Sequence, residues 1–507
     1  MSIVLFFVLF LMIYYSVPKR FQVYLLTAVS IVFCGLAGGG LMVSSILTAT
    51  VSTWYGAVRI ENAMSNKQKK RWFYAVLLLN MGVLIICKYL NFFVYTSRFV
   101  GEVLHWEIYL QEFSFLVPLG LSFYTLQVLG YLIDVSRGTC LAQRNLIHYA
   151  AFSCYFPQLF TGPINRYGEM KNSLYAEKYF DYKRTAFGLQ RIGWGLFKKL
   201  VIAERMAVIV DTVYGDYYTY QGCYIIFATM CFACQLYTDF SGAIDLAAGV
   251  SEILGIQISE NFAEPFFSHS LSEFWRRWHI TLGSWMKDYV FYPILKSDLF
   301  VKIGDWSKGR LGKKKGKKVP TYLGMVILWF TVGLWHGGSW KYIVGSGLLH
   351  CFYIVGGQVL KPLFQKMIFW MHVNTECFSY HLFQSLRTGF LVCTGFVFFR
   401  AESFREALGI LRASFYPNIW IFTDGSLLKL GLDAPDFIIG GVAFGILFLV
   451  SVQQKKFRAE GSGVREMLAK QNLVFRWGIY YMLIFSVIIL GFYGPGYDVS
   501  GFIYQNF

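Results

Sequence analysis

The sequence predicts an all-helical, polytopic membrane protein, and three observations carry that reading. Of 507 residues 56% are hydrophobic and only 15% charged, with a mean hydropathy of +0.48, against about 25% charged in a soluble domain. Residues 21–58 hold no charged side chain, and further apolar stretches occupy 1–17, 72–87, 113–133, 221–238, 320–335, 342–360, 437–454 and 477–497. These stretches do not alternate apolar and polar residues, so they read as helices and not as barrel strands.

Taken in order, residues 1–17 precede Lys19 and Arg20 and show no small-residue cleavage pattern, so they read as a retained first helix and not a signal peptide. The run 21–58 is long enough for two spans, and "AGGG" at 37–40 is where it should break. The whole chain, 1–507, reads as one membrane domain of roughly ten to twelve membrane helices, with re-entrant and interfacial pieces among them. Basic residues cluster between the spans: Lys19/Arg20, Arg59 to Arg71, Arg137/Arg144, the loop 308–318 and Lys455 to Arg465. The positive-inside rule places these in the cytoplasm, the acidic segment with Glu102, Glu107 and Glu112 outside, and both termini outside. That pattern also explains the net charge of +17 without a nucleic-acid partner. "KGRLGKKKGKKV", 308–319, reads as a topogenic, lipid-facing loop. Ten cysteines lie mostly inside apolar runs; Cys231 and Cys234 form a CxxC with no second pair, so they read as packing residues and no metal is expected.

Polar residues inside membrane segments are costly, so their concentrations mark candidate sites. In "SCYFPQLFTGPINRYGEM", 153–170, Pro157 and Pro163 rule out a regular helix, and Asn165 follows them. This is either a cavity-lining, broken element or an ordinary loop. In "QLYTDFSGAIDLAAGVSEILG", 235–255, Asp239 and Asp245 are six residues apart and cannot share a helical face. Capping, or pairing with arginines of the next segment, is preferred for them over direct catalysis.

"SLSEFWRRWHITLGSWMKDYVFYP", 270–293, opens with a capping box, Ser270 and Glu273. Leu271, Phe274, Trp275, Trp278, Leu282, Trp285 and Tyr289 recur at helical steps. A helix lying at the cytoplasmic surface follows. Arg276, Arg277 and Lys287 on its other side are candidates for the phosphates of an anionic cofactor or donor. His279 is a polar core residue or part of a reaction path.

"GLWHGGSW", 333–340, sets His336 between Trp335 and two glycines at the end of an apolar run. A neutral imidazole there can take a proton from a hydroxyl, so His336 is a candidate general base. Gly337 and Gly338 would let backbone or substrate approach. His350, fourteen residues on, is a weak partner for a metal site. These residues leave two classes open: a membrane enzyme with a histidine base, or a transporter or flippase whose buried polar groups bind an acyl donor or lipid-linked glycan.

The motifs resemble a known family. "LGLSFYTLQVLGYLIDVSRG" (119–138), the "FPQL..GPI.RY" pattern (156–167), "YTDFSGAIDLAAG" (237–249), the FWRRWH helix, the WHG histidine and "RAESFREALGIL" (400–411) occur in the order seen in membrane-bound O-acyltransferases. The likeness spans about 115–412 and is greatest to the bacterial alginate O-acetyltransferase branch; the shorter teichoic acid D-alanyltransferases share the core. The resemblance implies a ring of helices around a through-membrane tunnel, with His336 as the essential histidine and His279 as a second catalytic residue. It implies that Asp239, Asp245, Trp335, Pro157 and Asn165 line the tunnel or support it. It further implies acetyl-CoA or another acyl thioester as a cytoplasmic co-substrate, with no bound cofactor. The acceptor would be an extracytoplasmic polysaccharide hydroxyl, reached directly or through a secreted SGNH-type acetyltransferase partner. The location would be the bacterial cytoplasmic (inner) membrane. D-alanyl transfer to teichoic acid is the alternative within the family.

Overall fold

The computed structural model describes residues 2–106, 108–113, 117–159 and 161–493, with residues 2–4 by backbone only. Glu107, residues 114–116 of the 113–133 run, Phe160 of the proline-broken segment and the end of the last apolar run lie outside the described residues. Helix dominates throughout. The described residues contain a single isolated β-bridge, Phe262 with Trp278, and no strand.

Eight helices among the described residues are long and apolar enough to cross a bilayer: Lys19–Glu61, Asn66–Leu104, Cys223–Ile253, Val319–His336, Lys341–Trp370, Phe378–Arg400, Ala434–Ala459 and Leu473–Leu490. The first counts twice. Its helical part, Gln22–Glu61, turns at Gly39 with φ 64°, a conformation closed to most side chains. A Cβ on Gly35 would lie 3.7 Å from Val43, eight residues on, a distance no straight helix permits. The runs 1–17 and 113–133 supply the shorter helices Ser2–Ser16 and Leu121–Arg137. With these the membrane segments reach the expected range.

The chain divides into two compact units. The first comprises Met1–Gly195 with Ala243–Ser259. Its core is Leu121–Arg137, buried along most of its length. Hydroxyls join the helices around it: Thr50 to Ser153 at 2.8 Å, Thr53 to Tyr149 at 2.8 Å, and Tyr124 donating to Ser45 at 2.9 Å. Side chains of this kind supply specificity where surrounding lipid offers no hydrophobic drive. The proline-containing stretch runs through the same unit as predicted, not helical but broken. Helix Leu146–Ser153 gives way to a 3-10 turn at Phe156–Gln158, and helix resumes at Tyr167.

The second unit comprises Leu196–Gly242 and the described residues from Glu260 to 493. Here small residues bring backbones together. A Cβ on Gly333 would fall 2.7 Å from the Cα of Ile343, and one on Gly347 would fall 2.4 Å from the Trp329 carbonyl oxygen. Val319–His336 is thereby pressed against the π-helical stretch Lys341–Leu348 that follows it.

Two expectations are corrected. The basic run 308–318 is not a loop: Asp298–Gly316 is helical, bent at Gly312 (φ 75°), and Ser307 Oγ donates to the Gly316 carbonyl at 2.8 Å. Lysine and arginine are good helix formers, and charge alone gave no reason to break the chain. The surface helix expected across 270–293 is interrupted at Trp278 and His279, as described next.

Candidate active site

The segment Leu271–Arg277 forms a helix whose Ser270 cap accepts from the Glu273 N–H at 3.2 Å, while Glu273 accepts from the His269 N–H at 2.9 Å. The Ser270 half is the predicted cap; the Glu273 carboxylate reaches one residue further back than a capping box requires, to His269 instead of the Ser270 N–H. The helix then stops. Trp278 is extended and pairs with Phe262, and His279 adopts a left-handed conformation (φ 47°, ψ 51°) before helix resumes over Ile280–Met286. Main-chain bonds hold the break: Ala263 N–H to the Arg277 carbonyl and Ile280 N–H to the Asn261 carbonyl, both 3.0 Å. The predicted apolar face largely survives it; Leu271, Phe274, Trp278, Leu282, Trp285 and Tyr289 are buried, and Trp275 is half-buried. Without the break, His279 would continue the spiral of its neighbours.

The left-handed turn instead directs His279 into an aromatic enclosure. Its ring lies 4.8 Å from that of Phe240 and 5.6 Å from that of Trp335. Trp335 in turn lies 5.0 Å from His336, and His336 lies 5.5 Å from Phe399. Both imidazoles are buried, at 3% and 5% exposure. Burial, and next the nearby His336 charge, hold His279 well below the ordinary imidazole range, so it is neutral at physiological pH.

Helix Val319–His336 ends on His336, and Gly337 continues extended. The glycine was expected to make room for backbone or substrate. The Tyr342 ring fills that place: a Cβ on Gly337 would stand 2.5 Å from it. Gly337→Ala is therefore expected to push Tyr342 away and lower stability by about 1–3 kcal/mol, the usual cost of overpacking. Thermal unfolding in detergent checks this. An unchanged melting temperature would show that the ring moves freely.

Asp239 and Asp245 sit on one helix, Cys223–Ile253, and face different partners as their spacing requires. Both partners precede the aspartates in the chain; the expected arginines of the following segment are not the ones used. Asp245 pairs with Arg191 at 3.0 Å within the first unit. Asp239 pairs with Lys199 at 2.6 Å within the second, where Lys199 also meets Glu204 at 2.7 Å and Lys198 donates to Ser241 at 2.8 Å. Lys198 and Lys199 come from the π-helical stretch Phe197–Ala203, whose wider turn carries both toward the same helix. Sequence reasoning passed over them. Their signal is a "KK" pair inside an apolar run, beside an acid-bearing span.

Pro157 and Asn165 belong to the first unit, where the Asn165 amide donates to Gln158 at 2.7 Å and accepts from the Ser259 N–H at 2.8 Å. Arg276 and Lys287 are exposed, and Arg277 is held by Glu273 at 2.7 Å. His350 is not beside His336; its ring packs on Trp275 at 4.9 Å and Trp329 at 6.0 Å. Among the described residues no group of three or more metal-ligating side chains comes together.

Comparison with known proteins now bears on this geometry. The profile described as "MBOAT, membrane-bound O-acyltransferase family" matches residues 142–303. The "Probable alginate O-acetylase AlgI" of Azotobacter vinelandii is 30% identical over 432 residues, covering 83% of this chain and 78% of the relative. The chain belongs to the membrane-bound O-acyltransferase family. Other relatives of this O-acyltransferase differ in what their names say they act on. The "Peptidoglycan O-acetyltransferase" of Helicobacter pylori is 27% identical over 78% of this chain and 73% of its own length. The "Teichoic acid D-alanyltransferase" of Bacillus subtilis is 26% identical over 57% of this chain and 70% of its own. Membership answers the choice the residues left open: this multi-pass membrane-bound O-acyltransferase is an enzyme, and the transporter reading is set aside.

Proposed function

We propose that this enzyme transfers an acetyl group from cytoplasmic acetyl-CoA to a hydroxyl on the far side of the bacterial inner membrane. The acceptor is an extracytoplasmic polysaccharide, or a secreted SGNH-type acetyltransferase that completes the modification. The observation that carries the reading is the pair of buried imidazoles, His279 and His336, walled by Phe240, Trp335 and Phe399. A water-poor enclosure protects a thioester from hydrolysis while a neutral imidazole accepts a hydroxyl proton.

In this reading His336 takes the proton as the hydroxyl oxygen attacks the thioester carbonyl. The C–S bond breaks, and the proton passes from His336 to the departing thiolate. A tunnel through the membrane would bring donor and acceptor to these imidazoles from opposite sides. Arg276, Arg277 and Lys287 are assigned to the donor's phosphates; Arg276 and Lys287 are exposed and able to reach a large anion.

The alginate O-acetylase relative covers more of the chain than the D-alanyltransferase does, which favours acetyl over alanyl. The B. subtilis relative keeps D-alanyl transfer from a carrier thioester as the second reading. Membranes containing the enzyme, given radiolabelled acetyl-CoA or D-alanyl-loaded carrier protein, separate the two. Label from acetyl-CoA should appear in alkali-labile esters outside the cell or on the partner. Label from the alanyl carrier alone would overturn the acetyl reading.

A further inference from the structure

Asn261 was not singled out by its sequence, yet it is completely buried and braced against the His279 turn by the adjoining Phe262–Trp278 bridge and by the Ile280 N–H on its carbonyl. Its side-chain Oδ1 lies 3.1 Å from the Thr281 backbone nitrogen, 2.9 Å from the Thr281 hydroxyl and 3.2 Å from Nδ1 of His279. A backbone N–H can only donate. The amide atom facing Thr281 N is therefore the oxygen, and the orientation of the Asn261 amide is fixed by the main chain. An amide oxygen can only accept, so the imidazole nitrogen beside it carries the hydrogen. In a neutral imidazole the other nitrogen then presents a lone pair.

We propose that Asn261 is a positioning residue that holds His279 in the Nδ1–H tautomer, so that His279 meets the reacting groups through an acceptor nitrogen, Nε2. This rests on the acyl-transfer reading for its functional meaning, but not for the tautomer itself. It fixes what His279 does beside His336. In this tautomer Nε2 accepts a hydrogen bond, and it cannot donate one to polarise the thioester carbonyl. Any stabilisation of the developing oxyanion must come from other groups.

The test uses full-length enzyme in detergent with nitrogen-15 histidine, the His279 signals being assigned by their loss in His279→Gln. The unmodified protein should show a neutral His279 with hydrogen on Nδ1 and a bare Nε2. Hydrogen on Nε2 would overturn the proposal, and this arm needs neither a variant fold nor activity. In Asn261→Ala the preference for Nδ1–H should be lost, with a fall in kcat of about 10²-fold, the lower end of what a positioned base contributes, and little change in KM. The same substitution made in His279→Gln should cost almost nothing more, because the two act as a unit. An equal loss in both backgrounds would show that Asn261 does not work through His279. Absence of acyl product from unmodified enzyme with every donor would overturn the functional reading, while the tautomer would still be decided.

Discussion

His336→Ala is expected to abolish measurable acyl transfer while the enzyme remains folded in the membrane. A general base contributes about 10²–10⁴-fold, and the imidazole that would be lost is the one packed against Trp335 and Phe399. The side chain stands at the end of its helix, not within it. Circular dichroism and elution volume in detergent should therefore match the parent. His336→Gln sharpens the test: an amide keeps much of the size and hydrogen-bonding capacity but has no usable basicity. If the glutamine variant retains activity within a few-fold of the parent, His336 serves to position groups and the base lies elsewhere, with His279 the first residue to examine.

The largest loss of stability should come from Lys199→Met. One buried ammonium lies between two buried carboxylates, 2.6 Å from Asp239 and 2.7 Å from Glu204. Replacing either acid leaves the lysine paired with the other. Removing the lysine withdraws its charge from both acids at once, and breaking a buried pair typically costs about 3–5 kcal/mol. The expected order of melting temperatures is parent, then Asp239→Asn and Glu204→Gln together, then Lys199→Met far below. Lys199→Arg should recover part of the loss. A methionine variant no worse than the single acid variants would mean that water reaches this cluster and screens it. A smaller effect is expected at the helix cap. Ser270→Ala removes the acceptor for the Glu273 N–H and should cost about 1 kcal/mol, read as a modest shift in melting temperature.

Much of this was legible in the chain. The apolar runs gave the helices because membrane segments must satisfy their backbone internally. Trp335 and His336 stood out because an imidazole between a tryptophan and two glycines at the end of an apolar run is costly at that depth. The break at His279 could not be read, for a specific reason. Leu271, Phe274, Trp278, Leu282, Trp285 and Tyr289 keep helical spacing straight through it, since each piece on either side is itself a helix buried on the matching side. What ends the first helix is a main-chain partner supplied by residues 261–263, a tertiary contact with no local signature. Asn261 was missed with it, because an asparagine before a phenylalanine says nothing until Trp278 is known to be extended. The Asp239 partner was mistaken in direction for a similar reason: spacing says which face a carboxylate occupies, not which neighbour covers it.

The left-handed His279 has a consequence for how this enzyme can be improved. A residue with a Cβ held there costs roughly 1–2 kcal/mol relative to the right-handed region, and glycine would relieve it. The same substitution would also delete a buried ring packed on Phe240 and Trp335, and the cavity left behind costs about 3 kcal/mol or more, which outweighs the relief. The enclosure that serves the chemistry is thus also what holds the left-handed turn in place, and a screen for durability should itself retain a ring at this position.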